Sequence, residues 1–485
     1  MQQKSAKFFS VGTFLFIALI LIPGLTFHYP VHIEDALTSF PAPGFSVHVS
    51  GWRIVGEPVF GPLLFSLRAD QPVEKFFALM GWVMFILLIL SLYQGFRNRK
   101  SEKYFFLKSL SHGLVKILMV LILWIALLLI LIFMPLPGNT IVNKRPGTIL
   151  VNTHSHTYYS HDGLISPLKL MRWHRRNGFD AFFITDHNLH DKALEVVRAQ
   201  KDGVIPAVPV VFCGEEFSGS NHITLLGLQR DFKTRGMSDS TVIDSTHANN
   251  GVAIVAHWFA DKHRTIQYYI DCGADGYEIA NQAEGLTYDR EIFRNIVNKC
   301  KANDLLMVGA CDYHGYGSAC FTWNALHIPG WHEMDETGKR VSVMDLLRNH
   351  EQDKINVLLY RDRMLTNRSH ILLRPVCEVV GYFRSLNRLQ ILSWILWILL
   401  FRSIRILLKK RRKFNPNPLR AWGIAGFFSA LFVASIGFYL HSQVQPLIGY
   451  NEIFAEQSGT FLWSGLGFLL ISSVVIFKSK RVIGN

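Results

Sequence analysis

Thr148-Ile149-Leu150-Val151-Asn152-Thr153-His154-Ser155-His156 begins with residues suited to a strand and ends with two imidazoles one residue apart. Alternate residues of an extended chain share a side, so His154 and His156 can reach one metal ion. An isolated His-x-His is weak evidence, because paired surface histidines are common. Residues further along the chain give it weight. Thr157-Tyr158-Tyr159-Ser160-His161-Asp162-Gly163 comes next, and Ile184-Thr185-Asp186-His187-Asn188 ends a second apolar run. Gly214-Glu215-Glu216-Phe217-Ser218 follows a third, His222 begins a fourth, Ala256-His257 ends a fifth, and Cys311-Asp312-Tyr313-His314-Gly315 closes the series.

Short apolar runs at 148–151, 181–184, 207–212, 222–228, 252–256, 276–279, 305–308 and 357–360 alternate with helical patterns at 167–176, 192–200, 241–248 and 290–301. That alternation predicts an α/β fold with many parallel strands. About seven such units favour a barrel over an open sheet, and ligand-type residues follow the runs as they do at the C-terminal mouth of a (β/α) barrel.

The 49% hydrophobic content of the 485 residues is concentrated at the two ends of the chain. Residues 8–27, 76–95, 117–138, 421–440 and 460–477 lack Asp, Glu, Lys and Arg, and about 18 such residues suffice to span a bilayer as a helix. A sixth span is weaker: its uncharged core ends at Phe401, and Arg402 and Arg405 follow. Those arginines could snorkel to the interface, or the segment could lie flat on the membrane as an amphipathic helix. The resulting organisation is an N-terminal membrane region at 1–143 (spans near 8–28, 76–95 and 115–136), a soluble domain at 144–368, and a C-terminal membrane region at 369–485 (spans near 389–408, 421–440 and 460–477). Pro23-Gly24-Leu25-Thr26 offers no small-residue cleavage pattern, so the first span reads as a retained anchor. The polar loop 29–75 suggests no role.

Arg97, Arg99, Lys100, Lys103 and Lys108 crowd one loop, 402–420 is strongly basic, and 441–459 has no Lys or Arg. Lys and Arg favour the cytoplasmic side. Both termini are therefore expected inside and the central domain outside a bacterial inner or plasma membrane. The net charge of +14 is then a topology and lipid-surface signal, and no nucleic-acid partner is expected. Six cysteines form no CxxC pair, which gives no support to a thiolate zinc site.

Taken together and in this order, the ligand-type residues resemble the PHP family, named for the domain shared by bacterial DNA polymerases and histidinol phosphatases. The resemblance covers about 148–360 and excludes the spans. It implies a distorted (β/α)7 barrel, here flanked by transmembrane helices, that binds two or three divalent metal ions, zinc or manganese with iron as a further option. Carried over residue by residue, it implies His154, His156, Glu216 and Asp312 around one metal, with Glu216 bridging to a second held by His222 and His257. A third would use His187, His314 and either Asp162 or His161; Asp162 is preferred because it sits in the Asp-Gly turn that the pattern expects. Glu216 fits the Gly-x-Glu spacing better than Glu215, and Trp258 replaces a frequent Pro. His154, His156, Asp312 and His314 are the expected catalytic group.

Mixed imidazole and carboxylate ligands suit zinc, manganese or iron, and clustered cations acidify water and neutralise charge growing on a phosphoryl oxygen. The expectation is a membrane-anchored phosphoesterase; a spare histidine could protonate the leaving alkoxide. A carboxylic ester or amide hydrolase, and a non-enzymatic metal-binding sensor or scaffold, stay open. Substrate identity and oligomeric state are not legible. Asp186 reads as an orienter of ligands or a turn residue. His174, His190, His247, His263, His327, His332 and His350 read as packed or surface histidines. Lys262 and Arg264 could grip phosphate or be solvated. Tyr277, Glu278 and Asn281 are expected to line substrate or support structure, and Trp323 and Trp331 to fill the core.

Overall fold

A computed structural model describes residues 11–66, 72–97, 105–258, 264–283, 290–362, 374–410, 418–444 and 452–481. Its strands are β1 (His32–Asp35), β2 (Phe45–Val49), β3 (Asn139–Asn143), β4 (Thr148–Asn152), β5 (Ala181–Ile184), β6 (Val210–Ser218), β7 (His222–Leu226), β8 (Val252–Val255), β9 (Gly276–Asn281), β10 (Leu306–Ala310), β11 (Thr322–His327) and β12 (Ile355–Arg361). Ten of them form one curled sheet in the order β1-β12-β11-β4-β5-β6-β7-β8-β9-β10, while β2 and β3 pair separately.

Helices α1 (Val11–Leu21), α2 (Gly51–Val55), α3 (Glu57–Ser66), α4 (Pro72–Arg97) and α5 (Phe105–Phe133) precede the main sheet, apart from β1. Within the domain lie α6 (Pro167–Arg176), α7 (Asp191–Lys201), α8 (Asp239–Ala248), α9 (Ile266–Asp271), α10 (Arg290–Ala302) and α11 (Glu336–Arg348). The chain continues through α12 (Arg374–Ser385), α13 (Arg388–Lys410), α14 (Pro418–Gln443) and α15 (Glu452–Arg481).

The central strands are apolar throughout because both of their faces are covered. Leu150, Phe182, Val211 and Ala253 pack with Leu170, Leu194, Val242 and Ile296 of the surrounding helices. Their neighbours Val151, Phe183, Phe212 and Ile254 pack with Val343, Met344 and Leu347 of α11 on the other face.

The mixed α/β sheet differs from the expected mostly parallel barrel in two places. β7 runs antiparallel to both β6 and β8. Only Gly219-Ser220-Asn221 separates it from β6, too few residues for the crossover that a parallel pair requires. β11, unforeseen in the sequence, lies antiparallel between β4 and β12. The loop 29–75 also carries structure, with β1 pairing on the far side of β12.

The edge strand β10 nevertheless meets the interior strand β4 just beyond their C-terminal ends. Asp312 donates its amide to the His154 carbonyl, and His156 donates to Tyr313, each at 2.9 Å, giving a parallel bridge between Ser155 and Tyr313. Lower down, β11 takes the edge of β4, and Asn324 fills the seam. Its amide nitrogen donates to Gly309 O (2.6 Å) and Val151 O (3.1 Å), while its oxygen accepts from Gly309 N (2.7 Å).

Among the described residues, five helices are long and apolar enough to cross a membrane: Leu79–Arg97, Ser109–Phe133, Arg388–Leu407, Leu419–Gln443 and Phe454–Ser479. The weak sixth segment is thus among them, whereas the first is a shorter apolar helix, Val11–Thr26, among the described residues. Buried Glu57 ties α2 and α3 to α12 and α13, accepting from Arg53 Nε (2.7 Å), Tyr382 OH (2.7 Å) and Gln390 Nε2 (2.9 Å).

Replacing Asn324 by Ala strands buried backbone groups of Gly309 and Val151. A loss of about 2 kcal/mol is expected, read as a fall of roughly 4–8 °C in the domain's thermal unfolding midpoint.

Candidate metal centre

Glu215 and Glu216 are neighbours on β6, so their side chains take opposite faces. Glu215 turns to buried His190, with which it shares a hydrogen bond, and Glu216 turns to the rim where β4 and β10 meet. There the Nε2 atoms of His154 and His156 stand 3.0 Å apart. Glu216 Oε2 is 3.2 Å from the first and 3.3 Å from the second, and Asp312 Oδ1 is 3.3 and 3.1 Å away. All four residues are buried. Four donor atoms this close can surround one cation at the ordinary zinc–nitrogen and zinc–oxygen bond lengths of about 2 Å.

Glu216 Oε1 serves a second group. It lies 2.8 Å from His222 Nδ1 and 3.0 Å from His257 Nε2, and those nitrogens are 3.3 Å apart. A third group converges on Asp162 Oδ2, with His187 Nε2 at 3.1 Å and His314 Nε2 at 3.0 Å. His187 also comes within 3.3 Å of Glu216 Oε2, and His156 is close enough to join the third group. The nine side chains read from the sequence are therefore adjacent, in overlapping groups that could each hold a metal ion. His161 stands outside them: its Nε2 is 4.0 Å from Asp162 Oδ2 and its side chain is 55% exposed. Asp162 reaches the cluster because the chain folds back at Gly163, where a Cβ would lie 1.9 Å from Thr157 O. No other residue fits that turn.

Backbone strain marks the same rim. Asp312 (φ 46°) and His257 (φ 25°) are in the left-handed region, at a cost of about 1–2 kcal/mol each for residues with a Cβ.

Supporting groups complete the cage. Fully buried Glu278 accepts from His154 Nδ1 (2.7 Å), from His257 N (3.0 Å) and from Asn281 Nδ2 (2.9 Å). The contact fixes the tautomer that presents His154 Nε2 to the centre. Asn281 also donates to Asp312 Oδ2 (3.2 Å). Glu278 and Asn281 thus orient ligand-type side chains, a role the sequence left undivided between substrate and structure. Their position at the end of an apolar run was the available signal. Asp186 accepts from Thr157 N (2.6 Å) and Oγ1 (2.7 Å) and holds the turn after His156.

Most other polar residues singled out in the sequence are structural. Tyr277 OH donates to Ile266 O, and Trp323 Nε1 donates to Asn177 O. His174 stacks on Phe182, and burial pushes its pKa down to about 3. His247 and His350 pair with Asp275. Arg264 lies over the Tyr268 ring. Lys262 and His263 fall outside the described residues.

The electrostatics follow from crowding. Burial opposes charge on His156, yet hydrogen bonds to Asp312 and Glu216 outweigh it and raise the pKa to about 10. His257 is likewise opposed by burial but raised to about 9 by Glu216, Asp312 and Glu278. His154 goes well above its usual value because the fields of Asp312, Glu216 and Glu278 overcome burial. Burial pushes Glu216 and Asp312 upward, but their histidine partners win and hold both well below the carboxylate range. His187, by contrast, is lowered, burial prevailing over Glu216 and Asp162.

No family model matches the chain. No curated protein matches it either. Solved structures with some likeness include a two-domain protein containing a predicted PHP-like metal-dependent phosphoesterase from Bacteroides vulgatus (16% identity, TM-score 0.34). That comparison covers 44% of this chain, which spans 65% of the length of the Bacteroides protein. An amidohydrolase from Chromobacterium violaceum, with bound sulfate and no metal, is 15% identical over 39% of this chain and 96% of its own (TM-score 0.28). PsfC from Pseudomonas syringae is 14% identical over 42% of this chain and 98% of its own (TM-score 0.30). At such scores these likenesses carry no weight in assigning an activity.

Metal-free protein is expected to lose stability as pH rises through about 9 to about 10, because the raised histidines release the protons that offset Glu216 and Asp312. Their stabilisation is complete below the unfolded histidine value of about 6.5. The depressed carboxylates lose theirs at the acid end. Thermal midpoints measured against pH, with chelator and with added zinc or manganese, check this: metal should abolish the alkaline loss.

Proposed function

We propose that this chain is a membrane-anchored, metal-dependent hydrolase of phosphate esters, with its central domain outside the cytoplasm. The observation that carries the reading is the convergence of nine donor side chains on adjacent groups, two of which share Glu216. Two or three zinc or manganese ions fit that donor set, with His154, His156, Glu216 and Asp312 for one, Glu216, His222 and His257 for another, and Asp162, His187 and His314 for a third. When bound, such ions acidify water and neutralise charge developing on a phosphoryl oxygen. In sequence the basic stretches 97–108 and 408–420 are each separated from the domain by one candidate span, which supports the exterior placement.

The chain's own residues orient the reaction. Glu278 holds His154 in one tautomer, Asn281 steadies Asp312, and Asp186 pins the turn that brings Asp162 inward. His161 is the spare imidazole at the rim, its ring 4.7 Å from that of His187 and its edge open to solvent. In this reading it hands a proton to the departing alkoxide.

Full-length protein in detergent, stripped with chelator and reloaded with manganese or zinc, tests the function against aryl phosphate monoesters and diesters beside carboxylic esters. Metal-dependent turnover of a phosphate ester is expected, reduced to background in Asp312→Asn. Turnover of carboxylic esters alone would refute the phosphate reading, and no turnover with metals bound would favour a sensor. Glu278→Gln should cost roughly 10–100-fold in metal affinity or activity. His161→Ala should slow alkyl phosphates, whose leaving group needs a proton, far more than nitrophenyl phosphates; equal slowing of both would remove it from that role.

A further inference from the structure

The segment that carries Asp312 and His314 runs directly onto the end of a candidate membrane span. Gly317 donates its amide to Ile132 O in the last turn of α5 (3.0 Å), Ser318 Oγ donates to Met134 O (3.0 Å), and Leu136 donates to Ser318 Oγ (2.9 Å). The final carbonyls of a helix have no partner within it, so here the ligand-bearing loop helps to cap α5. Gly317 lies three residues beyond His314, a reach of at most about 11 Å.

A second contact lies on the other strand end of the rim. Lys169, near the start of α6, places Nζ 6.0 Å from the ring centroid of Tyr439 in the last turns of α14, another candidate span. The two sides are joined where Leu164 donates its amide to His314 O (2.7 Å). Between these contacts the rim exposes apolar surface: Leu168 is 43% and Tyr316 is 47% exposed, with the Tyr316 ring stacked 5.8 Å from that of His314. Lys169, Arg172, Arg175 and Arg176 give α6 an exposed basic face beside them, suited to anionic headgroups. The rim of the metal centre thus carries exposed apolar side chains between its contacts with the ends of two candidate spans.

We propose that the substrate is a phosphate ester whose alcohol is anchored in the bilayer, so that the centre draws its phosphate from the headgroup layer. This rests on the phosphoesterase reading and specifies its substrate class. The reaction consumes one water: its oxygen bonds to phosphorus, the bond from phosphorus to the lipid alcohol oxygen breaks, that oxygen takes one proton, and the phosphate product keeps or releases the other.

The test uses full-length protein in nanodiscs with manganese. Phosphatidate and phosphatidylglycerol in vesicles are compared with glycerol phosphate and glycerophosphoglycerol, which carry the same esters without acyl chains, and with a soluble aryl phosphate. At least a 100-fold higher kcat/KM for a lipid over its chain-free counterpart is expected, and Leu168→Ser with Tyr316→Ser should lower that ratio at least tenfold. Hydrolysis of soluble esters with no lipid preference overturns this inference and leaves the phosphoesterase reading intact. Hydrolysis of none of them overturns both. A readout free of turnover is a phospholipid with a photoreactive headgroup added to metal-free protein. Adducts within residues 164–172 or 314–318 are expected; adducts confined to the span surfaces would refute the proposal.

Discussion

The site depends on one buried carboxylate. Glu216 is 1% exposed, and its two oxygens meet five imidazoles, His154, His156 and His187 on one side and His222 and His257 on the other. Removing a carboxylate from water costs several kcal/mol unless positive charge is placed against it. Histidines this close repel one another when each is protonated. The arrangement is therefore poorly served by protons alone, because each proton added to neutralise Glu216 raises the repulsion among the rings. Divalent ions resolve the conflict: they supply concentrated positive charge while the imidazoles remain neutral donors. The shape of the rim is thus better explained by cations it would hold than by pairwise contacts among its side chains.

Strand direction explains how residues so distant in sequence reach this carboxylate. His154, His187, His257 and Asp312 follow the C-terminal ends of β4, β5, β8 and β10, which form one rim because those strands run in the same direction. His222 begins its strand instead of ending it. Because β7 is reversed by the three-residue turn after β6, its N-terminal end lies on the same rim. A parallel β7 would have carried His222 to the opposite end of the sheet. The antiparallel pair that departs from a regular barrel is therefore what completes the second donor group.

Much of this was legible because ligand chemistry needs particular side chains at strand ends. Run 181–184 matches β5 to the residue, and helix 167–176 matches α6. The choice between Glu215 and Glu216 followed from spacing and is explained physically by alternation along β6. β11 was missed because Thr322-Trp323-Asn324 breaks its apolar pattern, and Asn324 is there to bond the backbones of β4 and β10, a contact no local periodicity reports. Glu278 drew notice as the end of a run, but its task is set by His154, 124 residues away. The first apolar segment is described from Val11, as an α-helix to Leu21 followed by a π-turn at Ile22–Thr26 containing Pro23, where proline removes a helix hydrogen bond.

Strain and anchorage meet in the segment 312–318. Asp312, Gly315 and Gly317 all have positive φ, and Gly315 is packed so tightly that a Cβ would lie 2.6 Å from Ile165 Cβ. A loop with that many left-handed residues holds its shape only if both ends are fixed. One end is fixed by the bridge to Ser155 and the bond from Asn281, the other by the carbonyls of Ile132 and Met134. The candidate span α5 is on this account part of the scaffold of the loop that carries Asp312 and His314, which is held between the sheet and the end of that helix.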